Sequence, residues 1–419
     1  MIEVRQLNCG AKVIMEKMDC VQSAAIGIWF KTGAVNEPKE YAGISHYIEH
    51  MMFKGTDKRS AREIAESMDK IGGQMNAFTS KEVTCYYAKT TTEHVMEGLD
   101  ILTDMVTNSN FSEIEMDRER NVIIEEMKMS EDTPDDVAHD MIIEAVHKGT
   151  ALENSIIGTR ESLHRIDRDV IMDYYKNQYT IDSTVACVVG NFDEEAVCEM
   201  LEERLSKLKA HKEAPILKDV DSEPSFQVKI KDIEQSHVFL GKKGLPLDTP
   251  EYYNLSILTN ILGGNMSSRL FQTVREEKGL AYAVYSVTSA STFAGNTLIY
   301  AGVAHDKIED AIEAIIIELD KIKNGEITQE ELDKAKEQLK TNYIFGLENP
   351  LSKMMSIGRS YILLNRIRTD EEVLREISKV TLEDVNRLAA EMGDIRNYSA
   401  VAVTNKDIDL EKIVKSRYN

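Results

Sequence analysis

The feature that most constrains this chain is a structural pattern written into it twice. Residues 110–127 read NFSEIEMDRERNVIIEEM and residues 325–342 read GEITQEELDKAKEQLKTN. Setting Phe111 on Ile327 aligns Ser112 with Thr328, Glu115 with Glu331, Met116 with Leu332 and Asp117 with Asp333. Both open with Ser/Thr-x-x-Glu, a capping box in which side chain and backbone satisfy each other's free donors at a helix start. Each follows an amphipathic stretch ending in Asn, EHVMEGLDILTDMVTN in the first copy and KIEDAIEAIIIELDKIKN in the second. Looser matches surround this pair. Gly33, Pro38 and Tyr41 lead into one helix as Gly244, Pro250 and Tyr252 lead into another, and TVACVVGNF and SAVAVTN close the two halves as strands.

A repeat of this length predicts two similar domains. Between them, KAHKEAPILKDVDSEPS carries two prolines and no apolar period, the composition of a linker. The expected division is 1–212, a linker at 213–225, and 226–419. Within each half, QMNAFTSKEVTCYYAKT and YAVYSVTSASTFAGNTLIYAGV are rich in β-branched and aromatic residues and contain hairpin-like turns. Runs of strands segregated from runs of helices predict an α+β fold, each domain a largely antiparallel sheet with helices packed on it.

Composition narrows the partners. Fifty basic against 72 acidic residues give a net charge of −22, which argues against nucleic acid or an anionic membrane, since both require a cationic footprint. A basic peptide would be attracted to such a surface, although solubility alone explains the charge equally well. The five cysteines are scattered, without a CxxC pair, and read as reduced thiols. The N-terminal MIEVRQLNCGAKVIMEKM alternates around a turn at Asn8-Cys9-Gly10 and reads as a β-hairpin rather than a targeting peptide. With no apolar run of membrane-spanning length, a cytoplasmic location is expected.

The chemistry concentrates in AGISHYIEHMMFKGT. On a helix His46 and His50 stand one turn apart on one face, with Glu49 beside them. Two imidazoles so placed suit zinc, and a carboxylate next to the ion can take a proton from water activated there. The order H-x-x-E-H inverts the common zinc-protease motif. Two helix histidines serving as caps or half-buried polar groups would give the same spacing. The repeat discriminates between these readings. A catalytic zinc needs a third protein ligand, and Glu119 and Glu126 lie two turns apart in the capping-box helix, sharing a face with Val122. Their counterparts in the second copy are Ala335 and Asn342, and the stretch matching the histidine helix, YYNLSILTNIL, has no histidine. Glutamates placed only for solubility have no reason to segregate with the histidines.

These residues resemble the pitrilysin-type metallopeptidases, which include mitochondrial processing peptidase and insulin-degrading enzyme. The similarity spans essentially the whole chain and is strongest to half-length bacterial members similar to the processing peptidase. The resemblance implies a processing-peptidase-like fold and one Zn²⁺ per chain held by His46, His50 and Glu126, the last found 76 residues after His50. It implies that Glu49 is general base and then acid, and that Glu119 supports a ligand. GGQMNAFTSKEVTCYYA resembles the edge strand that pairs with an extended substrate at Asn76, Ala77 and Phe78, a form of β-augmentation. GGNMSSRLFQTVREEKGLAYAVYS resembles the segment whose Arg and Tyr, here Arg275 and Tyr282, stabilise the oxyanion. As bare sequence that Gly-rich start could suggest a phosphate site, but it lacks Walker spacing. Family members enclose peptide substrates between four repeat units, and this chain supplies two, which implies a homodimer completing each site in trans. The rival expectation from another class is a catalytically silent structural or peptide-binding subunit.

Overall fold

The computed structural model describes residues 2–209 and 217–416. The chain forms two compact units. One comprises Met1–Met127, Asn154–Ile216 and Ile344–Arg368; the other comprises Lys128–Glu153, Leu217–Tyr343 and Thr369–Asn419. In the first unit, β1 (Ile2–Gln6), β2 (Lys12–Lys17), β3 (Ser23–Phe30), β4 (Gln74–Thr79), β5 (Thr84–Thr91) and β6 (Thr184–Gly190) make one sheet in the order β1-β2-β6-β3-β5-β4. Every neighbour is antiparallel except β2 with β6. The expected N-terminal hairpin is β1–β2, turned at Gly10 with φ +100°. A residue with a side chain would be strained in that conformation.

The second unit repeats the design. Strands β7 (Phe226–Ile230), β8 (Ser236–Gly244), β9 (Ala281–Ala290), β10 (Gly295–Val303) and β11 (Ser399–Thr404) run in the order β7-β11-β8-β10-β9. Only β7 with β11 is parallel. Matching the two orders pairs β2 with β7, β6 with β11, β3 with β8, β5 with β10 and β4 with β9. Strand β1 has no counterpart. The duplication seen in the sequence is thus a duplication of topology, and the α+β expectation holds.

The compact units are not the contiguous stretches 1–212 and 226–419. Each sheet buries both faces, which is why β3 reads SAAIGIWF with hardly a polar residue. One face of the first sheet, including Ala24, Ile26, Ile28 and Phe30, packs into a core with helices from its own half. The other face, with Gly27 and Trp29, is covered by Pro350–Leu364 from the second half. Reciprocally, Pro134–Val146 of the first half lays Val137, Ala138 and Ile142 on Phe239, Leu298 and Val401 of the second sheet. Two similar copies offer two similar apolar faces, so the exchange leaves no trace in the residue pattern. Of the expected linker, 213–216 lie outside the described residues, and 217–225 form neither helix nor strand. No helix among the described residues is long and apolar enough to cross a membrane.

Close approach of each exchanged helix depends on a missing side chain. A Cβ on Gly241 would lie 2.7 Å from Cγ1 of Ile142, and one on Gly358 would lie 2.5 Å from Cε2 of Trp29. Gly358→Ala gains about 1 kcal/mol of helix propensity but must displace a buried indole, and overpacking costs about 1–3 kcal/mol. The urea midpoint of Gly358→Ala is therefore expected to fall, while Gly346→Ala, where an added Cβ meets nothing within 4 Å, should hold or raise it. Equal midpoints for the two would refute this account of the packing.

Candidate metal centre

The helix α1 (Ile44–Met52) starts at Gly43, with φ +91° and no side chain to cap it. Glu37 supplies the cap from outside the helix. Its Oε2 accepts from Gly43 N at 2.7 Å and its Oε1 from Ser45 N at 2.9 Å. Burial pushes this carboxyl up to about 7, while the two backbone donors oppose the shift. Ile44, Tyr47, Ile48, Met51 and Met52 are buried at i, i+3, i+4, i+7 and i+8, the stripe of a helix seated on a core. His46, Glu49 and His50 occupy the remaining face, half-buried.

The helix α2 (Glu113–Asp132) buries Met116, Glu119, Ile123 and Met127. The Tyr47 hydroxyl donates to Met116 O at 2.5 Å and sets the register of α1 against α2. In that register Glu126 Oε2 lies 3.8 Å from His46 Nε2 and 3.5 Å from His50 Nε2. One donor atom from each of the three residues falls within 4.8 Å of the others, the one group of three potential ligands among the described residues. The sequence-expected ligand set is therefore brought together. Glu125, its immediate neighbour, is not part of the group.

Glu119 has a different place. Its side chain is 7% exposed, with Oε2 3.1 Å from His50 Nδ1 and Oε1 2.8 Å from Lys54 Nζ. Because a carboxylate accepts, His50 donates from Nδ1 to Glu119, and without a metal its Nε2 can donate to Glu126; a bound metal would take the place of the Nε2 proton and receive that lone pair. Burial, then the neighbouring His50, holds His46 well below the usual imidazole range, so it stays neutral. Burial also lowers His50, but Glu126 and Glu119 outweigh it and the net shift is upward. Glu126 is held low, chiefly by the His50 hydrogen bond. The pocket thus favours positive charge beside two imidazole nitrogens and a carboxylate oxygen. That donor set fits zinc.

Glu49 stands against the sheet. Thr79 Oγ1 donates to its Oε2 at 2.5 Å. Burial raises the Glu49 carboxyl, with the Thr79 bond working against it. Thr79 ends β4, the outermost strand of its sheet. Asn76, Ala77 and Phe78 are therefore on an edge strand, as expected. Ala77 N donates to Asn76 Oδ1 at 2.8 Å, and Phe78 packs edge-to-face on Trp29 at 5.7 Å.

In the second unit, Arg275 lies on a π-helical turn, Phe271–Glu277, just before β9. Its guanidinium sits over the rings of Phe271 at 4.7 Å and Tyr282 at 5.4 Å. Arg275 and Tyr282 are thus neighbours, and Tyr282 is 76% exposed. Sequence reasoning missed Glu37, Lys54 and Thr79. Lys54 and Thr79 directly border recognised motifs, yet only three-dimensional contact shows what each touches.

The insulinase (peptidase family M16) model matches residues 12–160, and the peptidase M16 inactive-domain model matches residues 165–339. The chain is 42% identical over 391 residues to uncharacterized zinc protease YmxG of Bacillus subtilis, covering 93% of this chain and 95% of that protein. It is 34% identical to uncharacterized zinc protease SCO5738 of Streptomyces coelicolor, covering 91% and 85% respectively. A protease from Helicobacter pylori has the same fold, with a TM-score of 0.91 at 24% identity over 96% of this chain and 99% of that one. On the strength of both family matches and near full-length relatives, this chain belongs to the M16, or insulinase, peptidase family.

Proposed function

We propose that the protein is a zinc metalloendopeptidase that hydrolyses extended or unfolded peptides, with Glu49 as the proton-transfer group. The observation that carries this reading is the convergence of His46, His50 and Glu126 next to a half-buried Glu49. These three ligands would hold one Zn²⁺ per chain, which supplies Lewis acidity toward the attacking water and the scissile carbonyl. The chain's own residues do the rest. Glu49 takes the proton of the attacking water and passes it to the leaving amine nitrogen. Thr79 orients the Glu49 carboxylate from the end of β4. A substrate strand adds to β4 at Asn76, Ala77 and Phe78, using main-chain hydrogen bonds that are largely indifferent to sequence. Arg275 and Tyr282 stabilise the developing oxyanion. In this reading they come from a second copy of the chain in a homodimer whose paired chains enclose the substrate. The reading takes the protein to be cytoplasmic. Full retention of the ligand group disfavours a silent subunit, in which nothing would maintain Glu119 as a buried carboxylate beside His50.

Three experiments test this. Wild type and Glu49→Gln should each contain one zinc per chain by atomic spectroscopy. Cleavage of a quenched peptide library by Glu49→Gln should fall by about 10²–10⁴-fold. Equal turnover by the two would end the mechanism. Thr79→Val should lower kcat by about 10- to 100-fold, with Thr79→Ser close to wild type, because a lost hydrogen bond to a charged group costs about 1.5–3 kcal/mol. Unchanged kcat in Thr79→Val would remove Thr79 from the mechanism. Arg275→Ala and Glu49→Gln chains, each inactive alone, should regain activity when mixed into heterodimers. Demonstrated mixing without recovery would exclude completion in trans.

A further inference from the structure

The contacts of Lys54 point one step beyond the ligand set. We propose that Lys54 is a positioning residue for the metal centre, acting through Glu119 to fix the orientation of His50; this rests on the zinc reading above. Three observations carry it. First, Glu119 is engaged at both oxygens, by His50 Nδ1 at 3.1 Å and by Lys54 Nζ at 2.8 Å. A carboxylate held at one oxygen can pivot about that bond; one held at both cannot. Lys54 thereby fixes the acceptor that decides which His50 nitrogen carries hydrogen and which faces Glu126.

Second, the Lys54 backbone is itself fixed. Lys54 N donates to Met51 O at 3.0 Å, continuing the end of α1. Gly55 follows with φ +123°, its carbonyl accepting from Asn110 N at 3.2 Å, and Thr56 bridges Ser109. The turn that carries Lys54 is therefore tied to the segment leading into α2, the helix that carries Glu119. Third, the site has no equivalent support for the other histidine. His46 Nδ1 is buried and has no hydrogen-bond partner among the described residues. Orientation of the imidazole pair thus depends on the His50 branch, where Lys54 and Glu119 act in series.

The test uses the full chain as wild type, Lys54→Met, Lys54→Arg, Glu119→Gln and the Lys54→Met/Glu119→Gln double variant. Zinc affinity is read by chelator competition, and ligand geometry from the visible spectrum of the cobalt(II)-substituted protein. Lys54→Met should bind zinc about tenfold more weakly, at the low end for loss of a group supporting a ligand, with an altered cobalt spectrum. Lys54→Arg should stay near wild type. In the double variant, the lysine change should add nothing to Glu119→Gln. Wild-type affinity and spectrum in Lys54→Met would overturn the proposal, as would a lysine effect that persists in full on the Glu119→Gln background. Should Lys54→Met fail to fold, Lys54→Gln is read by the same criteria. A wild-type chain that binds neither metal overturns the metallopeptidase reading itself, a result distinct from failure of Lys54 alone.

Discussion

The candidate centre depends on the register of one short helix against a longer one. Eight positions of α1 are divided between two faces by ordinary amphipathicity, and burial of Ile44, Tyr47, Ile48, Met51 and Met52 leaves His46, Glu49 and His50 on the other side. That division fixes rotation about the helix axis but not translation along it. Translation is fixed by Tyr47, whose hydroxyl reaches Met116 O from within the core. Moving α1 by one residue along α2 would shift it by about 1.5 Å, enough to separate His50 from Glu119 and Glu126 together. At the helix start, Glu37 holds the first free amides, so the nine-residue helix does not depend on its own weak glycine cap.

What could be read from the sequence follows from how local each signal is. The spacing of His46 and His50 needs only helical geometry, and the hairpins of β4–β5 and β9–β10 need only alternation and turn residues. Glu126 and Glu119 are 76 and 69 residues beyond His50, so their relevance came from comparison with the second copy and from the family resemblance. Lys54 and Thr79 gave no such signal: each is polar, borders a motif and acts across a tertiary contact. The exchange of Pro134–Val146 and Pro350–Leu364 was hidden for a further reason. Both copies present an apolar sheet face of the same kind, so periodicity predicts that each face is covered without saying by which half.

The π-helical turn at Phe271–Glu277 marks another limit of pattern reading. Phe271 and Arg275 are four apart and would neighbour each other on an ordinary helix. The wider winding is a departure that side-chain period does not forecast, and such turns recur where function needs a particular placement. Here Gly279, with φ +59°, follows the turn, and the chain enters β9 with Tyr282 beside the Arg275 guanidinium. The edge-strand position is shared with β4 in the other unit, while the chemistry at the two edges differs entirely. One topology therefore carries the His46–His50–Glu126 group in one copy and an exposed Arg–Tyr pair in the other.

The fate of a single buried position explains how the copies could diverge without loss of the fold. Glu119 aligns with Ala335, and both are buried, at 5% and 2% exposure. A carboxylate at such a place is costly unless its charge and both oxygens are satisfied. In the first copy His50 and Lys54 meet that demand. In the second, the helix matching α1 has no histidine, and a glutamate at 335 would have no such imidazole to hold. Alanine fills the position as a small apolar side chain and joins the core with Leu332. The fold by itself therefore favours alanine, or another small apolar residue, at this position. A glutamate stands only where a histidine faces it, so its presence at 119 answers to its polar partners and not to the demands of the core.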